Sequence, residues 1–423
     1  MFNVSTSIIL QVRNINRSDG NADFESLIVM LRARKNQFVK FLFKLFLVIE
    51  VLILCASNSL AEVSQSVVLK KVSFDEIPRQ IIFDPKIFEN KSEILSGISR
   101  TLRFLKSEKG KEAYRAFERI GISNTRVEQT LARFYLILMF SNSPAELEKR
   151  IRRTFDLYRS VGADGRGTVK FTGYFQPVYK ASPVRTKEYR YPIFRKPADF
   201  DSWKLPHPTR VELEGYDGLG RPGTLLHGNE IAFLRNRFEA FMIHVQGSAI
   251  LQFPDGTTKA IGFDAGTRHP FRGISRKFLK ENHVAWNKLD KFFIKHPDKL
   301  DQVLSRNNRF IFFKEREVPQ PLGSLGVPVI PERSIAIDKL KLPPGALSII
   351  RTRLPEEVSN GKLALKPASR FVLSLDSGSA IKGPGRVDVF MGTGDKAQKK
   401  ANTIFGPGEL YYLMMKQYDD LKI

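Results

Sequence analysis

Leu373 to Ala401 reads LSLDSGSAIKGPGRVDVFMGTGDKAQKKA, and the rest of the chain is organised around it. A short apolar strand signal, Phe371 to Leu375, runs into Asp376. A turn punctuated by Gly378, Gly383 and Gly385 then leads to Arg386, Val387 and Asp388. A second strand over Val387 to Met391 follows, then Gly392-Thr393-Gly394, with Asp395 at the cap of a helix over Lys396 to Ala401. Glycines at that density let the backbone take positive φ and come close to a ligand, so acids displayed beside a helix N-terminus suggest a site. A glycine-rich hairpin with solvated acids fits the same local pattern, because convergence of carboxylates is a tertiary property.

At these residues the chain resembles the membrane-bound lytic murein transglycosylases of type A. The segment D-x-G-x-A-I-K-G…D-x-F-x-G-x-G stands from Asp376 to Gly394, and Phe171-Thr-Gly-Tyr-Phe-Gln-Pro177 is similar to the family's FTGYY-x-P signature. The blocks Tyr191-Pro-Ile-Phe-Arg195, Val245-Gln-Gly-Ser248 and Asn308-Arg-Phe-Ile-Phe-Phe-Lys314 match in the same order. Five ordered blocks, spread from Gly167 to the C-terminus, are far more specific than one glycine motif.

The resemblance implies a mainly β fold with an N-terminal helical region, in which a double-psi β-barrel faces a second, β-rich insert domain across a groove. It implies a peptidoglycan lytic exotransglycosylase that cleaves the MurNAc-GlcNAc β-1,4 bond and leaves 1,6-anhydromuramic acid ends. Carried over by position, Asp388 is the catalytic acid and base. Thr172, Gly173, Tyr174, Gln246, Ser248 and Gly392 contact the glycan, while Asp376 ties a turn and Asp395 caps a helix in support. No cofactor is implied, and the partner is the glycan strand, acted on by a monomer with possible membrane or wall-complex association.

Outward from that core, 423 residues suffice for two or three domains with proper cores. The expected division is 1–61 as leader, 62–165 helical, 166–185 a first barrel strand segment, 186–311 the insert and 312–423 the barrel. In the leader, Arg32, Arg34, Lys35 and Lys40 precede an apolar run from Phe41 to Ala56, and Ser59-Leu60-Ala61 offers a small-x-small cleavage site before Glu62. A spanning helix needs about 20 clean apolar residues, and this shorter run carries Lys44 and Glu50. It reads as a secretory signal peptide, with Met30 as the true start and the upstream stretch an over-extended gene reading. The single cysteine, Cys55, follows Leu54, too bulky for a lipobox, so cleavage after Ala61 is expected to remove it and leave a periplasmic protein, at or near the outer membrane, without disulfides.

Cleavage there removes seven Lys or Arg and four Asp or Glu, taking the formal charge from +24 to +21. So basic a body expects a polyanion. Export argues against nucleic acid and in favour of peptidoglycan with its acidic stem peptides, anionic headgroups or wall polymers; general solubility accounts for the charge equally well.

Apolar spacing predicts helices over Ile94 to Leu105, Val127 to Met139 and Leu147 to Tyr158, with Ser143-Pro144 as a start signal. Strand signals cover Thr168 to Phe175, Ala240 to Phe253, Pro328 to Arg333, Ala346 to Ile350 and Glu409 to Met415. Helices are expected over Ile274 to Asn282 and just before Pro297. Six scattered histidines lack zinc-ligand spacing, and no phosphate-cradling loop or nucleophile elbow is present, so no metal is expected. Carboxylates, aromatics and amides remain, which is the equipment of a glycan-cleaving groove. Two rival readings stay open: a two-carboxylate glycan hydrolase, and a non-catalytic expansin-like wall-binding module.

Overall fold

Burial with a period of two fixes which face each central strand shows. In Arg386–Thr393, Val387 and Val389 are fully buried while Arg386 and Asp388 are only partly so. In Val169–Gln176, Val169 and Phe171 are fully buried and Lys170 and Thr172 are not. The apolar set drives each strand into the core, and the polar set is thereby turned to the opposite face. Sliding either strand by one residue would bury the charges.

The computed structural model describes residues 68–417 except 79–83, 116, 119–120 and 359–360; the leader, Cys55 and the cleavage site before Glu62 lie outside these. The strands are β1 (Leu69–Val72), β2 (Phe155–Ser160), β3 (Val169–Gln176), β4 (Val178–Ser182), β5 (Tyr191–Phe194), β6 (Glu230–Leu234) and β7 (Ser248–Gln252). They continue with β8 (Thr258–Gly266), β9 (Ile311–Arg316), β10 (Ser334–Ala336), β11 (Leu347–Glu357), β12 (Leu363–Asp376), β13 (Arg386–Thr393) and β14 (Phe405–Met415). One sheet runs β1-β2-β14-β11-β12-β10-β13-β3, and a further pairing of β14 with β3 closes its last six strands into a barrel. The other sheet runs β5-β6-β4-β7-β8-β9. The protein is mainly β, a six-stranded double-psi barrel accompanied by a second β-rich body, as the resemblance implied.

Among the described residues the longer helices before the barrel strands are Lys91–Lys106, Asn124–Met139 and Pro144–Thr154. Ser143 accepts from Glu146 N at 3.2 Å and Pro144 follows at the first helical position, so the last of these starts where its sequence said. It ends earlier than expected. The backbone turns extended at Phe155, and Phe155–Ser160 joins the barrel sheet as β2 between β1 and β14. The region expected to be all helix thus contributes two strands as well.

The helices pack directly on the barrel. Phe134 meets Phe371 at 5.3 Å between ring centroids. A Cβ on Gly97 would lie 2.4 Å from Ile330, so helix and barrel approach as closely as a glycine allows. Arg333 and Asp84 form a fully buried ion pair, and Asp84 also accepts from Phe371 N at 2.9 Å.

The chain leaves the barrel at Pro177. β3 ends at Gln176 and β4 begins at Val178 in the other sheet, so the changeover comes eight residues before the expected boundary at 185. Proline has no N–H to continue a ladder, which makes it a natural break point. The return comes after Arg316, not at 311, because β9 completes the second sheet beside β8. A second correction concerns Ala240 to Gln246, expected as strand. Arg237–Gln246 is a helix, started by Asn236 accepting from Glu239 N and stopped by Gly247 at φ +76°. Pro328 to Arg333 is likewise not a strand, and the strand expected from Ala346 begins at Leu347, so that Leu347 to Ile350 and Phe371 to Leu375 are parts of the long β11–β12 hairpin.

Candidate active site

Asp388 lies midway along β13, between β3 and β10. Its register partners are Thr172 on parallel β3 and Ala336 on antiparallel β10. Asp376, at the end of β12, pairs with the same Ala336 from the other side. Paired residues point to the same face of a sheet, and neighbouring strands are about 4.8 Å apart, so the two acids share one face about 10 Å apart at the backbone. Ala336 lies on the strand between them.

The surroundings of the two differ. Thr172 Oγ1 donates to Asp388 Oδ1 at 2.5 Å and itself accepts from Arg386 Nη2 at 3.0 Å, so the guanidinium fixes the direction in which the hydroxyl proton points. Asp376 is held by three donors: Ser324 N at 2.9 Å and Ser377 N at 2.8 Å on Oδ1, and the Tyr174 hydroxyl at 2.9 Å on Oδ2.

Burial pushes the Asp388 carboxyl up to about 6, against the Thr172 hydrogen bond and the Arg386 charge that pull it down; the Asp376 charge adds to the rise. Burial also raises Asp376, opposed by its backbone and tyrosine donors. The Tyr174 phenol is driven well above its ordinary range by burial and by Asp376, so it stays a donor.

The remaining expected site residues divide. Thr172 and Tyr174 are on the acid face, and the Tyr174 ring packs on Phe390 at 5.2 Å. Gln246 ends its helix with Oε1 accepting from Phe175 N at 3.0 Å, at the point where the barrel strand passes into the second sheet. Ser248 is buried at the start of β7, and Gly392 sits at φ +109° where β13 loses register with β3. Gly173 requires a correction. It lies on the face opposite Thr172, where a Cβ would stand 2.7 Å from Ala401 Cα, so its lack of a side chain serves the seating of helix Gly394–Thr403. Asp395 requires another. That helix begins at Gly394 after Thr393, Asp395 is exposed within its first turn and caps nothing, and Thr393 Oγ1 is turned to Gln176 Oε1 at 2.9 Å.

Comparison with known proteins gives this arrangement its relatives. Residues 170–314 match the family model described as the MltA specific insert domain, and residues 333–414 match that of the 3D domain. The membrane-bound lytic murein transglycosylase A of Escherichia coli K12 is 29% identical over 265 residues, 61% of this chain and 69% of that one. A homolog of that enzyme from Buchnera aphidicola is 27% identical over 300 residues, 69% of this chain and 79% of that one. The chain belongs to the MltA family of lytic murein transglycosylases.

Solved MltA structures share the architecture. The membrane-bound lytic murein transglycosylase of Agrobacterium tumefaciens is 25% identical, with a TM-score of 0.64 over 82% of this chain and 97% of that one. E. coli MltA with bound chitohexaose superposes with a TM-score of 0.60 at 23% identity, over 83% of this chain and 96% of that one, which speaks for the fold. Sequence reasoning about this MltA member missed Ala336 and Ser324. Nothing in the local sequence around either marks it, since each acts only through strands and loops brought to it from elsewhere.

Proposed function

We propose that this protein is a peptidoglycan lytic exotransglycosylase in which Asp388 is sole acid and base. The observation that carries the reading is the contrast between the acids: Asp388 holds a proton up to about pH 6 beside a directed hydroxyl, whereas Asp376 is occupied by three donors. Protonated Asp388 donates to the glycosidic oxygen as the MurNAc-GlcNAc bond breaks. The carboxylate so formed takes the proton of the muramoyl C6 hydroxyl, whose oxygen attacks C1 and closes the 1,6-anhydro ring. Proton and bond balance without water, and each half is general acid-base catalysis worth about 10²- to 10⁴-fold. Arg386, through Thr172, steadies the carboxylate that exists between the two transfers.

The glycan would lie in a groove between barrel and insert, against Tyr174, Gln246, Ser248 and Gly392, with the division between the two bodies at Pro177 and Arg316. A cell-envelope location accords with the membrane-bound relatives; among the described residues no helix is long and apolar enough to cross a membrane.

Mass spectrometry of the products released from purified sacculi tests the reading. Anhydro ends support it. Reducing ends identify a hydrolase with a second working carboxylate, and binding without release identifies a wall-binding module.

A further inference from the structure

Beside the acid pair is a second feature, of which the proposed reaction uses Arg386 alone, through its hydrogen bond to Thr172. Phe405, the first residue of β14, pairs with Thr172 across to β3, yet the residue is 56% exposed. Two cations from different parts of the fold lie over that ring: Lys170 Nζ from β3 at 4.7 Å from the centroid, and the Arg276 guanidinium, from the helix Arg276–Glu281 of the insert, at 4.9 Å. Arg386 is the register partner of Lys170 and completes the group. Among the described residues none of the three makes an ion pair, and Arg386 Nη1 is a buried nitrogen without a hydrogen-bond partner. The charges repel one another: burial and the fields of Arg386 and Arg276 together depress the Lys170 ammonium. The carboxyl nearest in effect, Asp388, carries a proton when the proposed cycle starts and so offers no compensating charge at that stage.

Like charges brought together without a counter-charge are unfavourable in the unliganded protein, and the attraction of cations to an aromatic face relieves this only in part. An anion arriving among them is bound by charge-assisted hydrogen bonds and relieves the repulsion as well. We propose that Lys170, Arg276 and Arg386, gathered around Phe405 beside Thr172, bind a carboxylate carried by the muramoyl side of the glycan strand, so that the site reads charge as well as sugar. The identity of the anion rests on the peptidoglycan reading above. That chemistry has two sources: the lactyl carboxylate of a strand stripped of peptide, and the carboxylates of the stem peptide, in whose presence the lactyl group is an uncharged amide. Because Arg276 belongs to the insert and the other residues to the barrel, the same carboxylate would tie the two walls together over the substrate.

The test measures binding by the full chain carrying Asp388→Asn, which cannot turn over, to chitohexaose, to peptide-free glycan strands and to peptide-bearing strands. Arg276 is exposed on a short helix, so its substitution should leave the fold intact, and thermal melting verifies this. Arg276→Ala is expected to weaken binding to at least one carboxylate-bearing strand about ten-fold, the size of a lost charge-assisted contact. Arg276→Glu is expected to weaken it further and Arg276→Lys to restore most of it, with chitohexaose binding changed less than about two-fold. Whichever strand responds names the source of the carboxylate. Equal losses on all three ligands, or none on any, overturn the inference. Absence of anhydro products from the wild-type chain overturns the functional reading separately, because the binding ratios do not depend on turnover.

Discussion

Asp376 and Asp388 end up on the two sides of one alanine, on the same face of one sheet, and both are pushed toward the protonated form by burial. What distinguishes them is the number of donors. Asp376 receives two backbone N–H groups and a phenol, from a return loop, its own turn and β3, and so joins three segments of the chain. Asp388 receives one hydroxyl that is itself directed by a guanidinium. A carboxyl saturated with donors is a structural joint, whereas one left with spare lone pairs in a shielded place can exchange a proton. The difference teaches that, on the proposed reading, hydrogen-bond occupancy, more than burial, separates the two roles.

The largest expected effect comes from removing the proton. Asp388→Asn should lower anhydro-muropeptide release by about 10³-fold or more while glycan binding persists, as read by product mass spectrometry and a pull-down on sacculi. Near-normal release would erase the distinction between the acids.

The opposite expectation holds for stability. Below the ordinary carboxyl value of 3.8, Asp388 is protonated in folded and unfolded chains alike; between 3.8 and about 6 the folded chain keeps a proton that the unfolded chain gives up, so this group's contribution to stability falls as pH rises. Asp388→Asn should therefore stabilise the fold by roughly 1–2 kcal/mol at pH 7 and not at all near pH 3. Asp376→Ala should do the reverse, costing about 1–3 kcal/mol by leaving its donors without an acceptor. Urea melts at the two pH values check both.

Gly173→Ala separates packing from binding on β3. The contact with the Ala401 backbone should cost about 1–3 kcal/mol, seen as a lower denaturation midpoint. A variant of wild-type stability with weakened glycan binding would return Gly173 to the binding surface.

A finer change is expected from Thr172→Val, which deletes the hydrogen bond that lowers the Asp388 pKa. The alkaline limb of kcat/KM, expected near pH 6 in the wild type, should move to higher pH by about half a unit, roughly three-fold in the protonated fraction at pH 7. An acid-ward shift would mean that the hydroxyl stabilises the protonated form. Asp395→Asn should change stability by less than about 0.5 kcal/mol, since an exposed first-turn acid acts only through the helix dipole.

Strands whose apolar residues alternate were legible, as β3 and β13 show, and so were the caps at Ser143 and the stretch around Asp388. Continuous apolar runs were not. Phe238 to Val245, interrupted only by Glu239 and His244, is as apolar as a strand and reads as one from Ala240 onward, although Asn236 followed three residues later by Glu239 is a helix-start signal. Phe155 to Tyr158 continues a helical spacing and so reads as helix, because nothing local announces that β14 lies ready to pair with it. In the site, motif positions locate both acids, but motif spacing does not report donors, so the cap expected of Asp395 is not made: the helix already begins at Gly394, with Thr393 at the cap position. The cations around Phe405 come from positions 170, 276, 386 and 405, and no window of sequence contains them together.

The hydrogen bond between Thr172 and Asp388 spans 216 positions of the chain. Loop closure over such a separation is entropically costly and slow, while β4 to β9 are contiguous and can pair among themselves as soon as they are made. The closing seam between β3 and β13 is therefore expected to form after the second sheet. Until that seam forms, the hydroxyl and the carboxyl are strangers in solution, and a nascent or clipped chain carries every residue of the proposed site without possessing the site itself.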